Sequence, residues 1–582
     1  MEKVGGWIKK EYKKLLVMTG IMLFLVLSVV LYANSLSEDR SFQYLTKTIF
    51  QKELEGSTLS LHYTLENPEK YGIEEPEISF GDFSVDSMKR GYETMAGYQE
   101  VLAQIDREKL SKQNQLTYDI LELYLETELS AQPYLLYQEP LGATIGIQAQ
   151  LPVLLAEYRF ETKKDIKQYL NLLQKLPMYY RSLVSFEQSK AEAGLFMSDR
   201  SLDHILQQCR EFIEEDDNHY LVEVFDSKID CIVNLSEEEK TQFKSQNRQM
   251  AQSCVIPAYE ILIDGLEKLR GSGENEEGLC FFPEGKAYYE YLVKASTGDY
   301  DSLAEIEEKI QNQILADFTS LRELAVQSGT SGAVRTADSP EQILAQLRED
   351  IAQDFPEAAD TVCRIKYVHS SMEDYLSPAF YLTPPIDHTE ENVIYINRAN
   401  DYTPLELFTT LAHEGFPGHL YQTTYFANEN ADPIRCLLNF EGYVEGWATY
   451  VEMYAYGLAK GDREAIESER LNRAIMLGIS TLIDISIHYH GCSRDAIAAY
   501  LSKLGITSRE TSDQIYDAVL EAPANYLKYY VGYLNFEELK DSWQQWKGED
   551  FSLKEFHQKV LEIGPAQFPI LERCLEEESK KA

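Results

Sequence analysis

The chain has 582 residues, 44% of them hydrophobic and 26% charged, and a formal net charge of -42. That length exceeds what one hydrophobic core supports, so two large lobes are expected. A surface this acidic repels phosphate backbones and excludes a nucleic-acid partner. The 8 cysteines contain no Cys-x-x-C pair, so no thiolate zinc knuckle is expected.

Lys3, Lys9, Lys10, Lys13 and Lys14 face only Glu2 and Glu11 at the N-terminus, and residues 15–37 carry no charge. Such a stretch crosses roughly 30 Å of hydrocarbon as a helix. The flanking lysines keep the N-terminal end in the cytoplasm. Residues 1–37 therefore read as a basic stub and a transmembrane signal anchor, with the body outside the membrane. Cleavage near Ala33, which would release the body, is the alternative; the apolar stretch is long for a cleaved signal.

Beyond the anchor the chain reads as mostly α: a large multi-helical, two-lobed body with a central cleft and a small β element. The expected lobes are 38–360 and a metal-binding lobe, 361–582. Thr162 with Asp165 opens a helix whose Ile166, Tyr169, Leu170, Leu173 and Leu176 share a face. Leu303, Ile306, Ile310, Ile314, Phe318, Leu321 and Leu324 form a second stripe. Gly-rich loops are expected at 270–278 and 328–332. Residues 392–397, β-branched and aromatic, predict a short strand.

The next helix start is strong. Thr403 is an N-cap candidate, Pro404 suits the first turn, and Glu406 completes a capping box. His413 and Glu414 then lie well inside the helix. Zinc hydrolases place two histidines one turn apart, with a glutamate between them as base. Here His413 and His419 are six apart, which on an undistorted helix leaves them roughly 120° apart. Gly415-Phe-Pro-Gly418 lifts the objection. Pro417 interrupts the hydrogen-bond ladder and the glycines accept unusual backbone angles, so a broken helix returns His419 to the ion. A third ligand is expected from another helix. Glu441, Glu445 and Glu452 share one face, beside Trp447 and Tyr450, an arrangement that calls for a cation.

Glu445-Gly-Trp-Ala-Thr-Tyr-Val-Glu452 resembles the metal-helix stretch of aminopeptidase N-type zinc enzymes. The resemblance makes Glu445 the third ligand and sets Glu441 behind it in support. The whole set resembles more closely the bacterial domain-of-unknown-function family 885. His413 to Gln422 carries that family's His-Glu-Gly-x-Pro-Gly-His-x-x-Gln. Asp484 to Arg494 is similar to a further family stretch, with Ser486 and Cys492 departing from it, as is Pro523 to Gly532 with its Tyr529. Tyr381, Pro384 and Asn397 match another pattern, and Gly285 with Tyr289 match more loosely.

The implied chemistry is peptide hydrolysis by one Zn2+ held by His413, His419 and Glu445, with Glu414 as general base. His488 or Tyr529 is expected to donate to the developing oxyanion, and Asp484 to orient His488. Arg494 is expected to bind a substrate carboxylate, and Gln422 to support the site by hydrogen bonding. The strand carrying Tyr395 and Asn397 is expected to pair with an extended peptide. A zinc amidohydrolase of cell-wall or acylated peptides is the second enzyme reading. A tethered peptide-binding protein without catalysis is the third.

Overall fold

The computed structural model describes residues 37–581 apart from 75, 143–144, 215–218, 328–338, 369–372 and 374–376. The predicted anchor falls outside them except for residue 37, which begins a helix running to 55; the loop at 328–332 falls outside as well. Among the described residues no helix is long and apolar enough to cross a membrane.

Helices dominate, as the periodicity predicts. The N-terminal core includes α1 (Ile147–Glu157), α2 (Lys163–Leu173), α3 (Leu176–Glu192) and α4 (Tyr220–Cys231). Both halves of the Thr162–Asp165 capping box form, and Ile166, Tyr169, Leu170 and Leu173 are buried. Pro177 stands in the first turn of α3, where its missing N–H costs nothing, so the predicted stripe is split between two helices.

The second core takes in Ile120, Tyr137 and Leu195 and then runs from Leu279 to Leu575. It takes in α5 (Gly285–Thr297), α6 (Leu303–Gln327), α7 (Pro404–Glu414), α8 (His419–Ala427), α9 (Glu441–Ala455), α10 (Arg463–His488) and α11 (Leu527–Lys547). Tyr289, Ile306 and Ile310 share this core with Leu411, Trp447 and Tyr530. Position 360, the expected lobe boundary, thus falls inside the sequence range of one continuous core. On α9, an added Cβ at Gly446 would lie 2.5 Å from Gly532 Cα on α11, so this close crossing admits no side chain.

A three-stranded sheet lies between the cores, formed by β1 (Val362–Tyr367), β2 (Ala379–Leu382) and β3 (Glu391–Ile396) in the order β1-β3-β2. β1 runs parallel to β3 and β2 antiparallel, with Tyr381 opposite Ile394 and Phe380 opposite Tyr395. Strand alternation sends Phe380, Val393 and Tyr395 to the N-terminal core and Tyr381, Ile394 and Ile396 to the second core. The predicted strand forms, but it is the central one. Its two edges are filled, so the expected pairing of a peptide with 392–397 has no free edge to use. Within this sheet the outer strands are β1 and β2.

Candidate metal centre

Thr403 caps α7 as predicted: its side chain accepts from the Glu406 N–H, and the Glu406 carboxylate accepts from the Thr403 N–H at 2.8 Å. This fixes where the helix begins and hence where His413 and Glu414 emerge. Gly415 is the last residue to donate into the ladder, to Leu411 O at 2.9 Å. Pro417 has no N–H to offer, and the Gly418 N–H instead donates to Ala412 O at 2.9 Å. The Tyr421 N–H reaches back to Gly415 O at 3.1 Å, tying α8 to the turn. Trp447 Nε1 donates to Pro417 O at 2.9 Å, anchoring the turn to α9. A Cβ at Gly418 would sit 1.8 Å from the His413 carbonyl oxygen, so only glycine allows this return.

The break brings the two imidazoles together. Their ring centroids are 4.8 Å apart and the rings nearly perpendicular, at 86°. Glu445 Oε2 lies 3.6 Å from His413 Nε2 and 3.4 Å from His419 Nε2. One donor atom from each of the three residues falls within 4.8 Å of the others. Two imidazole nitrogens and one carboxylate suit a zinc site with a position left for water or substrate.

The ligands are braced from behind. His413 Nδ1 lies 3.2 Å from Glu452 Oε2, and Arg473 Nε donates to Glu452 Oε1 at 2.8 Å. The hydrogen bond to Nδ1 leaves Nε2 for a metal. Burial alone would lower the His413 pKa, but hydrogen bonds to Glu445 and Glu452 and the charge of Glu414 outweigh it and push it up to about 10. Burial likewise works to raise Glu445, yet the two histidines hold it well below the usual carboxylate range. Glu452, buried as well, is drawn down to about 2 by Arg473 and His413. Carboxylates gathered this closely around the two imidazoles form a site that accepts a cation.

Glu414 is 8% exposed and accepts the Tyr381 N–H on Oε2 at 2.8 Å. Burial raises its pKa and Glu445 adds to the rise, against the opposing pull of His413 and His419. Tyr529 stands in the same field: burial, then Glu445, Glu414 and Glu441, push its phenol up. It therefore keeps its proton and remains a hydrogen-bond donor.

Other predicted residues are placed differently. His488 is 1% exposed; its Nδ1 accepts from the Leu279 N–H at 3.3 Å and its Nε2 donates to Val519 O at 3.0 Å. Both nitrogens serve the main chain, so none is left for an oxyanion. Asp484 does not orient that ring; its Oδ1 accepts from the Tyr289 hydroxyl at 2.6 Å and from the Ala524 N–H at 3.0 Å. Arg494 donates to Asp517 Oδ1 at 2.6 Å and stacks on Tyr516, so its guanidinium is already engaged by a carboxylate. Glu441, expected behind the ligand, is 39% exposed and accepts from Lys528 Nζ at 3.2 Å; Glu452 occupies the place assigned to it. Gln422 is buried against Tyr443. Tyr395 donates to Glu157 on the far face of the sheet, and Asn397 Nδ2 donates to Glu373 O at 2.6 Å. Neither faces the histidines as a substrate group.

A model of the bacterial proteins of unknown function DUF885 matches residues 69–575. The chain belongs to that family. Of curated proteins, none matches it. The fold of this DUF885 protein is similar to that of a candidate lipoprotein from Colwellia psychrerythraea, with a TM-score of 0.84 at 18% identity over 94% of this chain and 100% of the other. A candidate lipoprotein of unknown function from Shewanella oneidensis gives a TM-score of 0.57 at 15% identity, covering 84% of this chain and 92% of the other. Such identities establish likeness of fold alone.

Proposed function

We propose that this DUF885 protein is a zinc-dependent hydrolase that cleaves peptide bonds outside the membrane. The observation that carries the reading is the convergence of His413, His419 and Glu445, with Glu414 buried beside them and Glu452 behind His413. His413 Nε2, His419 Nε2 and a Glu445 oxygen would hold the ion. Bound zinc would supply a Lewis acid that polarises a carbonyl and acidifies water near neutral pH.

The remaining work falls to the chain's own groups. Glu414, its pKa raised by burial and its carboxylate steadied by the Tyr381 N–H, takes a proton from attacking water and passes it to the leaving amine. Tyr529 donates its phenolic hydrogen to the carbonyl oxygen as charge develops there. β2 is an outer strand of its sheet and carries Tyr381 beside Glu414, which supports an extended peptide as substrate. The basic and then uncharged N-terminal sequence, and the description of two structural neighbours as lipoproteins, support a membrane tether with the body outside.

The test uses the full chain in detergent, purified without added metal. About one zinc per chain is expected, lost in His413→Ala and Glu445→Ala. Glu414→Gln should keep zinc and lose cleavage of a peptide library. Absence of zinc after zinc is supplied, or full cleavage by Glu414→Gln, would overturn the proposal.

A further inference from the structure

On the face of the sheet opposite Glu414, a cavity of about 300 Å³ opens between the strands and helices α1 and α4. Phe380 and Tyr395, stacked at 5.0 Å, form its apolar floor. Four charged side chains line it: Glu157, Glu223, Lys228 and Lys366. None of them belongs to the metal centre.

The charges are held apart. The Lys228 ammonium donates to the carbonyl oxygens of Ala156 and Tyr158. Lys366 Nζ donates to the Tyr395 hydroxyl at 3.3 Å, and that hydroxyl donates to Glu157 Oε2 at 2.5 Å. Among the described residues neither lysine has a carboxylate within ion-pair distance. Burial lowers the Lys228 pKa to about 8, with Glu157 opposing the shift and Lys366 adding to it. The two ammoniums therefore feel each other across the cavity. Ammonium and carboxylate groups that share a partly desolvated space without collapsing together suit a ligand that carries both charges. The aromatic floor adds a place for an apolar side chain.

We propose that this cavity binds a zwitterionic amino acid with an apolar side chain: its carboxylate on Lys228 and Lys366, its ammonium on Glu157, its side chain on Phe380 and Tyr395. The assignment does not depend on hydrolysis at the metal centre.

The test is calorimetric titration of the full chain in detergent with phenylalanine. Saturable binding is expected, weakened at least about tenfold for N-acetylphenylalanine and for phenylalaninamide, each of which lacks one charge. Phenylalanylglycine separates a free amino acid from a dipeptide as the source, according to which binds tighter. Lys366→Gln, on an exposed strand position, should weaken phenylalanine by a similar factor, while Glu414→Gln leaves it unchanged. Lys228→Met should do the same as Lys366→Gln, and the exposed-site variant decides the matter if Lys228→Met fails to fold. Equal binding of the acid and its two blocked forms, no saturation at millimolar phenylalanine, or an unchanged Lys366→Gln would overturn the proposal. Because Glu414→Gln binds in this assay without turning over, a failure here is separable from a failure of the peptidase reading.

Discussion

Glu452 Oε2 lies 3.2 Å from Nδ1 of His413, two turns along α9 from Glu445, which faces Nε2 of the same ring. One helix therefore holds both sides of one imidazole. Such a carboxylate sets the ring's tautomer and orientation, and its loss typically costs 10–100-fold in metal affinity. Glu452→Gln should weaken zinc by roughly that factor in a chelator competition, with the fold intact. Glu441→Gln, at a position paired with Lys528, should leave zinc affinity unchanged. The reverse order would return the supporting role to Glu441.

The turn between α7 and α8 depends on a glycine with no room beside it. Gly418→Ala puts a methyl within 1.8 Å of the His413 carbonyl oxygen and 2.5 Å of the Ala412 carbonyl oxygen, both main-chain atoms. The backbone must move, and His419 moves with it. Overpacking of this kind costs about 1–3 kcal/mol or more. Zinc binding should be lost even where the variant still unfolds cooperatively. A Gly418→Ala protein with wild-type zinc affinity would mean that the six-residue spacing closes in some other way.

The sequence made the local parts of this site readable and left the long-range parts hidden. Thr403, Pro404 and Glu406 announce a helix start through chemistry confined to one turn, and Pro417 announces its end. Glu452 sits on the same face as Glu445, so its position is legible, but its partner Arg473 lies on α10 and only tertiary packing joins them. The errors have the same origin. His488 follows Asp484 by one turn, a spacing that suits a catalytic pair, yet both groups turn into the core and satisfy main-chain atoms from distant segments. The strand at 391–396 is evident from its β-branched residues, but its central place in the sheet depends on pairings across intervening loops.

Buried titratable groups give the stability a pH dependence whose sign can be worked out. Burial lowers His62 to about 3, His219 to about 4, His488 to about 4 and His557 to about 3. Below the ordinary histidine value near 6.5 the unfolded chain takes up these protons first, so this contribution is lost as pH falls from about 6.5 to 3. Asp484 runs the other way: burial raises it to about 7, so the folded state holds a proton that the unfolded carboxylate has released. Its contribution declines as pH rises from about 4 to 7. Asp484→Asn should match wild type near pH 4 and exceed it at pH 8, by up to about 4 kcal/mol in urea unfolding. His488→Gln should flatten the loss of stability below pH 6.5 without changing turnover per folded molecule. Loss of turnover in a stable His488→Gln protein would restore that residue to the chemistry.

Tyr529 carries the remaining catalytic assignment. Its phenol lies in the field of Glu445, Glu414 and Glu441, which with burial keep the proton on oxygen. A proton-bearing donor beside the ligands is of use only when negative charge appears on a substrate oxygen, so its effect belongs to the transition state. Tyr529→Phe removes one oxygen and leaves the ring. Zinc content and thermal midpoint should stay near wild type, KM should change little, and kcat should fall by about 10²–10³. A variant that raises KM with kcat intact would instead make Tyr529 a substrate contact. A variant that loses zinc would place its main effect on the ligands, through the Glu445 carboxylate whose charge it feels.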